Sequence, residues 1–211
     1  MEFVRPMRIM AKSNILYTGS GIELVRRLAG EGIRIFTPDQ ARETASDIGL
    51  SEGYLRQALH HLTRSGWLVR LRKGLYAISS TVPGVAPVHE FEIAMALVDP
   101  AAISHWSAIH YHGLTEQAPR RIFILTTTDV NIPRKRGSKT GRKENNDYIL
   151  EGTPYQFVQV KPQGFFGVQS VWVGEVRVSI TNIERTLLAC LTHPKYCGDF
   201  FELLHAFGVA R

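Results

Sequence analysis

The sequence predicts an α+β protein with an N-terminal winged helix-turn-helix domain and a C-terminal mixed α/β domain that contains a small sheet. Residues 51–78 follow the order helix, tight glycine, strand, basic turn and strand. Residues 79–87 contain two prolines, one glycine and no charge, which is typical of a linker. We therefore expect a winged helix in residues 1–80, a linker in 81–87 and the second domain in 88–211.

The helix after Ser51 is the centre of the predicted winged helix. Serine is a preferred N-cap because its hydroxyl can accept a hydrogen bond from a free amide of the first turn. Apolar residues then recur at the spacing of one helical face, namely Leu55, Ala58, Leu59 and Leu62. Ser65-Gly66 ends the helix, since glycine adopts the left-handed conformation at low cost.

Two short strands are predicted after this helix, over residues 67–69 and 75–78. The turn Arg72-Lys73-Gly74 joins them and gives the hairpin a positively charged tip. A helix followed by a basic hairpin is the arrangement of a recognition helix and its wing.

The polar face of the helix and the basic residues of the hairpin form the candidate DNA-binding surface. Gln57 can pair with adenine through two hydrogen bonds, whereas arginine and lysine hold phosphates without reading sequence. The candidate residues are Ser51, Gly53, Tyr54, Gln57, His60, His61, Arg64, Arg70, Arg72 and Lys73. A solvated helix face in a winged helix that contacts proteins is the alternative interpretation.

The elements before Ser51 fit the same unit. We predict a first helix over 22–28, ended by Gly30 and Gly32, and a strand over 33–36 that pairs with the wing. Thr37-Pro38 predicts a second helix over 38–46, because threonine caps and proline suits the first helical position. Residues 1–18 receive no role.

The second domain is predicted to begin with a helix over 89–98. A short strand and a helix ending at Gly113 should follow, then a buried strand over 122–127. Strands over 155–160, 168–173 and 175–180 precede a helix capped by Thr181 or Asn182 and a final helix over 198–207.

Charge is unevenly distributed along the chain. Residues 1–85 hold 12 Lys and Arg against 7 Asp and Glu, a net of +5, whereas residues 86–211 hold 13 against 12. Six of those 13 lie in a single predicted loop, at Arg134, Lys135, Arg136, Lys139, Arg142 and Lys143. This loop is a solvated segment, a DNA-grasping extension or a contact for an acidic protein, and nucleic acid is favoured.

Composition excludes several classes of protein. No run of 18 apolar residues is present, so no membrane span is expected, and charges interrupt the N-terminus, so no secretory signal is expected. Cys190 and Cys197 cannot form a disulfide framework, and we expect reduced, buried thiols in a cytoplasmic protein. We predict no cofactor, no metal site and no catalytic residue.

Two constellations invite other interpretations. His105, His110 and His112 do not share one helical face and lack acidic or thiol neighbours at ligand spacing, so packing around Trp106 and Tyr111 is the preferred interpretation. Asp147, Glu151 and the strand Gln159-Val160-Lys161 suggest a metal-dependent nuclease carrying a winged-helix targeting domain. Gln159 is a poorer metal ligand than an acid, which weighs against that alternative.

With these residues considered, the chain resembles the AbiEi family of antitoxins and transcriptional regulators of type IV toxin–antitoxin systems. The resemblance rests on SGWLVRLRKGLYAI (65–78), SHWSAIHYHGLTEQ (104–117) and IERTLLACLTHPKYCGDFFEL (183–203). It implies a sequence-specific repressor that binds its own operator as double-stranded DNA, and a C-terminal domain needed to counteract a nucleotidyltransferase-like toxin. Family members usually continue past the position of Arg211, so a stand-alone regulator of the same architecture is the other expectation.

Overall fold

The structure, a computed structural model, describes residues 10–130, 147–198 and 200–210, with backbone alone for 10–18. The chain divides into two compact units, residues 1–88 and 89–211. Val82, within the predicted linker, is buried in the core of the first unit, and Val85 packs against that core. The segment 81–87 therefore includes part of the packing of the first unit.

The first unit has three helices and a three-stranded antiparallel sheet of order β1-β3-β2. Its elements are α1 Met10–Gly30, β1 Ile35–Phe36, α2 Pro38–Asp47, α3 Glu52–Arg64, β2 Leu68–Arg72 and β3 Leu75–Ile78. All predicted elements of the winged helix are present. The first helix begins twelve residues earlier than its amphipathic pattern indicated, at Met10 rather than Ile22.

Helix α2 begins with the cap that Thr37-Pro38 predicts. The Thr37 side chain accepts a hydrogen bond from the Gln40 amide, and the Gln40 side chain in turn accepts one from the Thr37 amide. This reciprocal pair satisfies two free donors at once. Ala41 and Ala45 lie in the core as predicted, and Ile48 and Leu50 pack against it from the turn before α3.

The second unit has one mixed six-stranded sheet of order β6-β7-β5-β4-β9-β8, larger than the small sheet expected. Its strands are β4 Ala102–Ile103, β5 Ile122–Thr126, β6 Asp147–Leu150, β7 Thr153–Gln159, β8 Val168–Val173 and β9 Val176–Thr181. Its helices are α4 Glu90–Leu97, α5 His105–Tyr111, α6 Ile183–Thr192 and α7 Phe200–Val209. Strands β5 and β7 pair in parallel, as do β4 and β9, and the remaining pairs are antiparallel.

Strand β6 lies where the sequence predicts the end of a loop. It is a four-residue edge strand that pairs only with β7 among the described strands, and its Ile149 is exposed. Only Leu150 of its four residues is buried, so the strand lacks the hydrophobic pattern by which strands are predicted from sequence.

The expectation of two reduced cysteines is wrong, because the structure joins Cys190 and Cys197 in a disulfide. Helix α6 ends at Thr192, and a turn over Pro194–Tyr196 reverses the chain, so that the two Cα atoms lie 5.5 Å apart. That separation is within the usual range for a bridge. Both cysteines are fully buried, which agrees with the predicted burial.

The bridge adjoins a tightly packed glycine. Gly198 has φ +77, and a Cβ atom at this position would overlap the ring of Trp106, which lies in the same core cluster as both cysteines. The turn from α6 to α7 therefore needs glycine for its backbone conformation and for the close approach of Trp106.

We expect Gly198→Ala to destabilise the protein more than Gly174→Ala does. Both positions have positive φ, so both substitutions carry a backbone cost of roughly 1–2 kcal/mol, but nothing lies within 4 Å of the added Cβ at Gly174. The overlap with Trp106 should add about 1–3 kcal/mol. Urea unfolding of the two variants measures the difference. Equal losses would contradict the close packing of Trp106 on this turn.

Candidate nucleic-acid interface

Helix α3 separates its residues cleanly into a buried and an exposed face. Leu55, Ala58, Leu59 and Leu62 are each less than 5% exposed and belong to or border the core of the first unit. At 100° per residue the opposite face is centred on Gly53, Gln57 and Arg64. All candidate residues of the helix are exposed, namely Ser51, Gly53, Tyr54, Gln57, His60, His61 and Arg64.

An ion pair, rather than a side-chain cap from Ser51, fixes the N-terminus of α3. Ser51 occupies the N-cap position, but its side chain makes no capping hydrogen bond, which corrects the expected role of its hydroxyl. Glu52 instead pairs with Arg42 of α2 at 3.0 Å, and Arg42 also pairs with Asp39. The hydrogen bond that Arg42 donates to Asp39 and the charge of Glu52 raise the pKa of Arg42. The single acid of α3 is thus neutralised by α2.

The C-terminus of α3 leads directly into the wing. The Ser65 hydroxyl donates to the carbonyl of His61 at 2.9 Å, and Gly66 has φ +80. The amide of Trp67 then donates to the carbonyl of Leu62 at 2.9 Å. These bonds satisfy the last carbonyls of the helix and fix where β2 begins.

A β-bulge at Leu71 determines that the side chains of Arg70 and Arg72 both face solvent. Arg70 is opposite Tyr76, and Arg72 is opposite Leu75, so the register shifts between the two arginines. In a regular strand Leu68, Arg70 and Arg72 would share one face. With the bulge, Leu68 and Leu71 are both buried, while Arg70 and Arg72 are exposed together with Lys73 at the turn.

Arg56 is an exposed basic residue beside the candidate site that the sequence analysis missed. It is exposed on α3 and lies closer to the centre of the exposed face than Tyr54 does. With Arg64, Arg70, Arg72 and Lys73 it brings the exposed positive charges of α3 and the wing to five. The helical spacing from Gly53 and His60, three residues before and four after, would have revealed it.

Comparison with protein families finds a match over this unit. Residues 23–79 match the model of the family described as "Transcriptional regulator, AbiEi antitoxin". The match covers 57 of the 211 residues. It spans the C-terminal part of α1 through β3 and so includes α3 and the wing, and it confirms the resemblance for the winged helix, whereas the segments 104–117 and 183–203 lie outside it.

The fold also resembles a solved structure. The RV2827C protein from Mycobacterium tuberculosis has a crystal structure that is similar with a TM-score of 0.59 and 17% sequence identity. The similarity covers 88% of this chain and 64% of that chain, so this chain spans somewhat less than two thirds of its relative. At this identity the likeness concerns the fold. No curated protein sequence matches the chain.

The remaining candidate residues belong to the second part of the sequence, after residue 88. Arg134, Lys135, Arg136, Lys139, Arg142 and Lys143 fall outside the described residues. None of the helices that the structure describes has both the length and the apolar character of a membrane span. Across the same described ranges, no three His, Cys, Asp or Glu side chains are grouped as metal ligands would be.

The residues of the nuclease alternative are not brought together. Asp147 begins β6 opposite Gln156 and pairs with Arg121 at 3.1 Å, and Arg121 also donates to Gln156 at 2.9 Å. Lys161 follows five residues after Gln156, roughly 17 Å along an extended chain. The Asp147 carboxylate therefore belongs to a structural ion pair at the sheet edge, and no Mg²⁺ site forms between it and Lys161.

The three histidines of 105–112 have separate environments. His112 contacts the ring of Tyr111, and its Nε2 lies 2.7 Å from the carbonyl oxygen of Thr181. His110 is exposed. His105 is 1% exposed and lies against the rings of His193 and Tyr196, with centroid distances of 6.0 and 5.5 Å.

His105 is a buried neutral imidazole. Its Nδ1 lies 2.8 Å from the hydroxyl of Ser104, whereas Nε2 has no hydrogen-bond partner. Burial, together with the charges of His193 and Arg185, lowers the pKa of His105 to about 3. Protonation of this side chain therefore opposes folding.

We expect His105 to make the protein acid-sensitive. Above the unfolded pKa of about 6.5, the depressed pKa of His105 costs the folded protein no stability. As pH falls from there toward about 3, the free energy of unfolding decreases by up to about 1.4 kcal/mol per pH unit, because only the unfolded chain binds the proton. His105→Asn keeps a polar side chain and tolerates the positive φ of 51. The free energy of unfolding of this variant should fall less steeply with acid than that of the wild type.

Urea unfolding between about pH 7 and about pH 4.5 measures this dependence. His110→Asn supplies the matched control, since His110 is exposed on the same helix, and it should follow the wild type. Parallel curves for the wild type and His105→Asn would show that His105 does not carry the acid sensitivity.

Proposed function

We propose that this protein is a sequence-specific DNA-binding transcriptional repressor that acts on the operator of its own operon. The observation that carries the proposal is the exposed face of α3 continuing into a basic wing. Five positive charges lie there, while the one acid of α3 is paired with Arg42. A surface of this charge attracts a phosphate backbone, and a helix of this width fits the major groove.

The polar residues have distinct roles in this proposal. Gln57, near the centre of the exposed face, reads a base edge, and an amide side chain pairs best with adenine. Gly53 allows the backbone to come close, and Tyr54, His60 and His61 contact bases or phosphates from the flanks. Arg56, Arg64, Arg70, Arg72 and Lys73 hold phosphates and fix the register of the helix on the duplex. This activity belongs in the cytoplasm, where bacterial operators are found.

The basic segment 134–143 is a second candidate contact for nucleic acid. Six positive charges among glycines and polar residues suit contact with a phosphate backbone, as proposed from the sequence. No metal or cofactor takes part, because neither base reading nor phosphate binding requires one.

The base-reading and phosphate-holding roles predict different losses. Gln57→Ala should weaken binding to the cognate operator by about 1–3 kcal/mol and relax preference at one position, with little change on random DNA. Arg72→Ala with Lys73→Ala should weaken both DNAs alike and reduce the slope of log K against log salt by about two, since each phosphate contact releases a counterion.

Electrophoretic shifts and fluorescence anisotropy on the upstream DNA of the gene and on a scrambled duplex, at several salt concentrations, measure both effects. Lys195→Ala, an exposed lysine of the second unit, is the control for a general loss of charge. Sequence-independent binding by the wild type would refute the repressor. A wing variant that loses only cognate binding, with its salt slope unchanged, would refute phosphate contact by the wing.

We also propose that the chain is the antitoxin of a type IV toxin–antitoxin pair and counteracts a nucleotidyltransferase-like toxin. The support is the family match over residues 23–79, together with the second unit that follows it. Expression of a nucleotidyltransferase-like reading frame encoded beside this gene should arrest growth, and co-expression of this protein should restore it.

The DNA-binding variant with Arg72→Ala and Lys73→Ala separates the two activities. It should still restore growth when both genes are placed under foreign promoters, because neutralisation would not need the operator. Failure of the wild type to restore growth would leave a stand-alone regulator.

A further inference from the structure

Helix α7 exposes large apolar side chains that a solvated helix would not carry. Phe200, Phe201 and Leu204 are 65%, 79% and 52% exposed, and Phe207 and Val209 are exposed as well. The other face of the helix packs in the core of the second unit, where Leu203 and Ala206 are buried. The exposed side is therefore a second apolar face of the same helix.

The charges of α7 do not lie on this face. Glu202 is the one charged residue between Phe200 and Val209. Its carboxylate accepts hydrogen bonds from the hydroxyl of Thr115, at 3.0 Å, and from the side-chain amide of Gln117. The carboxylate of Glu202 is thus directed toward its own unit. Over Phe200–Val209, the exposed side of α7 therefore presents no charged side chain that could pair with a charged partner such as DNA.

Helix α6, which packs against α7, also exposes two leucines. Leu188 and Leu191 are 44% and 54% exposed and lie on one helical face, which they share with the exposed Glu184. Val209 lies about 180° around α7 from Phe200 and is therefore not part of the same surface. We define the α6–α7 patch as Leu188, Leu191, Phe200, Phe201, Leu204 and Phe207.

The area of this patch suits a protein interface. With roughly 200 Å² for a fully exposed large side chain, the exposed fractions amount to about 650 Å². The largest apolar patch of a typical monomer is about 300–600 Å². A stable interface buries about 800 Å² per partner, so contact through this patch and a polar rim reaches the usual size.

The arrangement of the patch is self-complementary. Phe200, Leu204 and Phe207 form one stripe at the spacing i, i+4, i+7, and this stripe has an aromatic ring at each end and a leucine between them. Two such helices packed antiparallel about a two-fold axis would place Phe200 beside Phe207 of the second copy and Leu204 beside Leu204. A two-fold interface requires that residue i meets j and that j meets i, and this order of side chains satisfies it.

We propose that the α6–α7 patch joins two copies of this chain in a homodimer with an antiparallel α7–α7 contact centred on Leu204. The proposal does not depend on DNA binding. Neither charge nor a cofactor is needed, since burial of the apolar side chains supplies the attraction.

Two substitutions of Leu204 test the proposed two-fold contact between the α7 helices. Sedimentation velocity of the wild type should give twice the chain mass of 23.7 kDa at micromolar concentration. Leu204→Asp and Leu204→Lys should each sediment as single chains, because like charges would then face each other across the axis. An equimolar mixture of the two should recover dimers at least about tenfold more tightly than either variant alone, since each Asp would then face a Lys.

Two controls accompany these variants. Trp172→Asp changes an exposed apolar residue, 68% exposed on the edge strand β8, and should leave the dimer intact. Far-ultraviolet circular dichroism should match the wild type for both Leu204 variants, because Leu204 is on the surface of the single chain. The thermal midpoint of the variants should be independent of concentration, whereas that of the wild-type dimer should rise with concentration.

Three results would overturn the proposal. A wild type that remains a single chain at all concentrations would leave the patch for a different protein. A dimer that persists in both Leu204 variants, or that Trp172→Asp disrupts equally, would place the contact elsewhere. A mixture that does not reassociate would exclude the two-fold axis at Leu204.

Discussion

The burial of one face of α3 is the constraint on which the first unit depends. Leu55, Leu59 and Leu62 belong to its core, and fully burying a leucine contributes about 1.5–3 kcal/mol. This burial fixes the rotation of the helix about its axis. Because the rotation is fixed, Gln57 and Arg64 must face outward, and the Ser65-Gly66 turn must deliver β2 beside the helix. The polar surface is thus a direct consequence of the apolar one.

The parts of this fold that follow from local chemistry could be predicted from the sequence. The leucine spacing of α3, the Thr37-Pro38 start of α2 and the exposed candidates of the helix all agree with the structure. The parts that depend on tertiary contacts could not be predicted from the sequence. The register shift at Leu71 leaves no mark on composition, and the pairing of Arg42 with Glu52 joins residues on different helices. Likewise, a spacing of seven residues does not show that a turn brings Cys190 back to Cys197.

The second unit combines a mixed sheet with polar groups in its interior. Arg185 donates to the carbonyl of Gly164 at 2.9 Å and lies over the ring of Phe166, and burial lowers its pKa. Thr181 and Thr186 share a hydrogen bond at 2.7 Å where β9 passes into α6. Groups of this kind are costly to bury unless their partners are in place, so they define one arrangement of strand and helix.

The bulge at Leu71 has a consequence for how wings of this kind change. Substitution of an arginine alters one contact and leaves the others in place. Loss of Leu71 would restore a regular two-residue alternation and place Arg70 on the face of Leu68, toward the core, whereas loss of Val69 or Arg70 would keep both leucines on the buried face. Loss of this one leucine is therefore far more damaging than exchange of an arginine. A wing with a different DNA preference would have to be exchanged as a whole hairpin, including the bulge at Leu71.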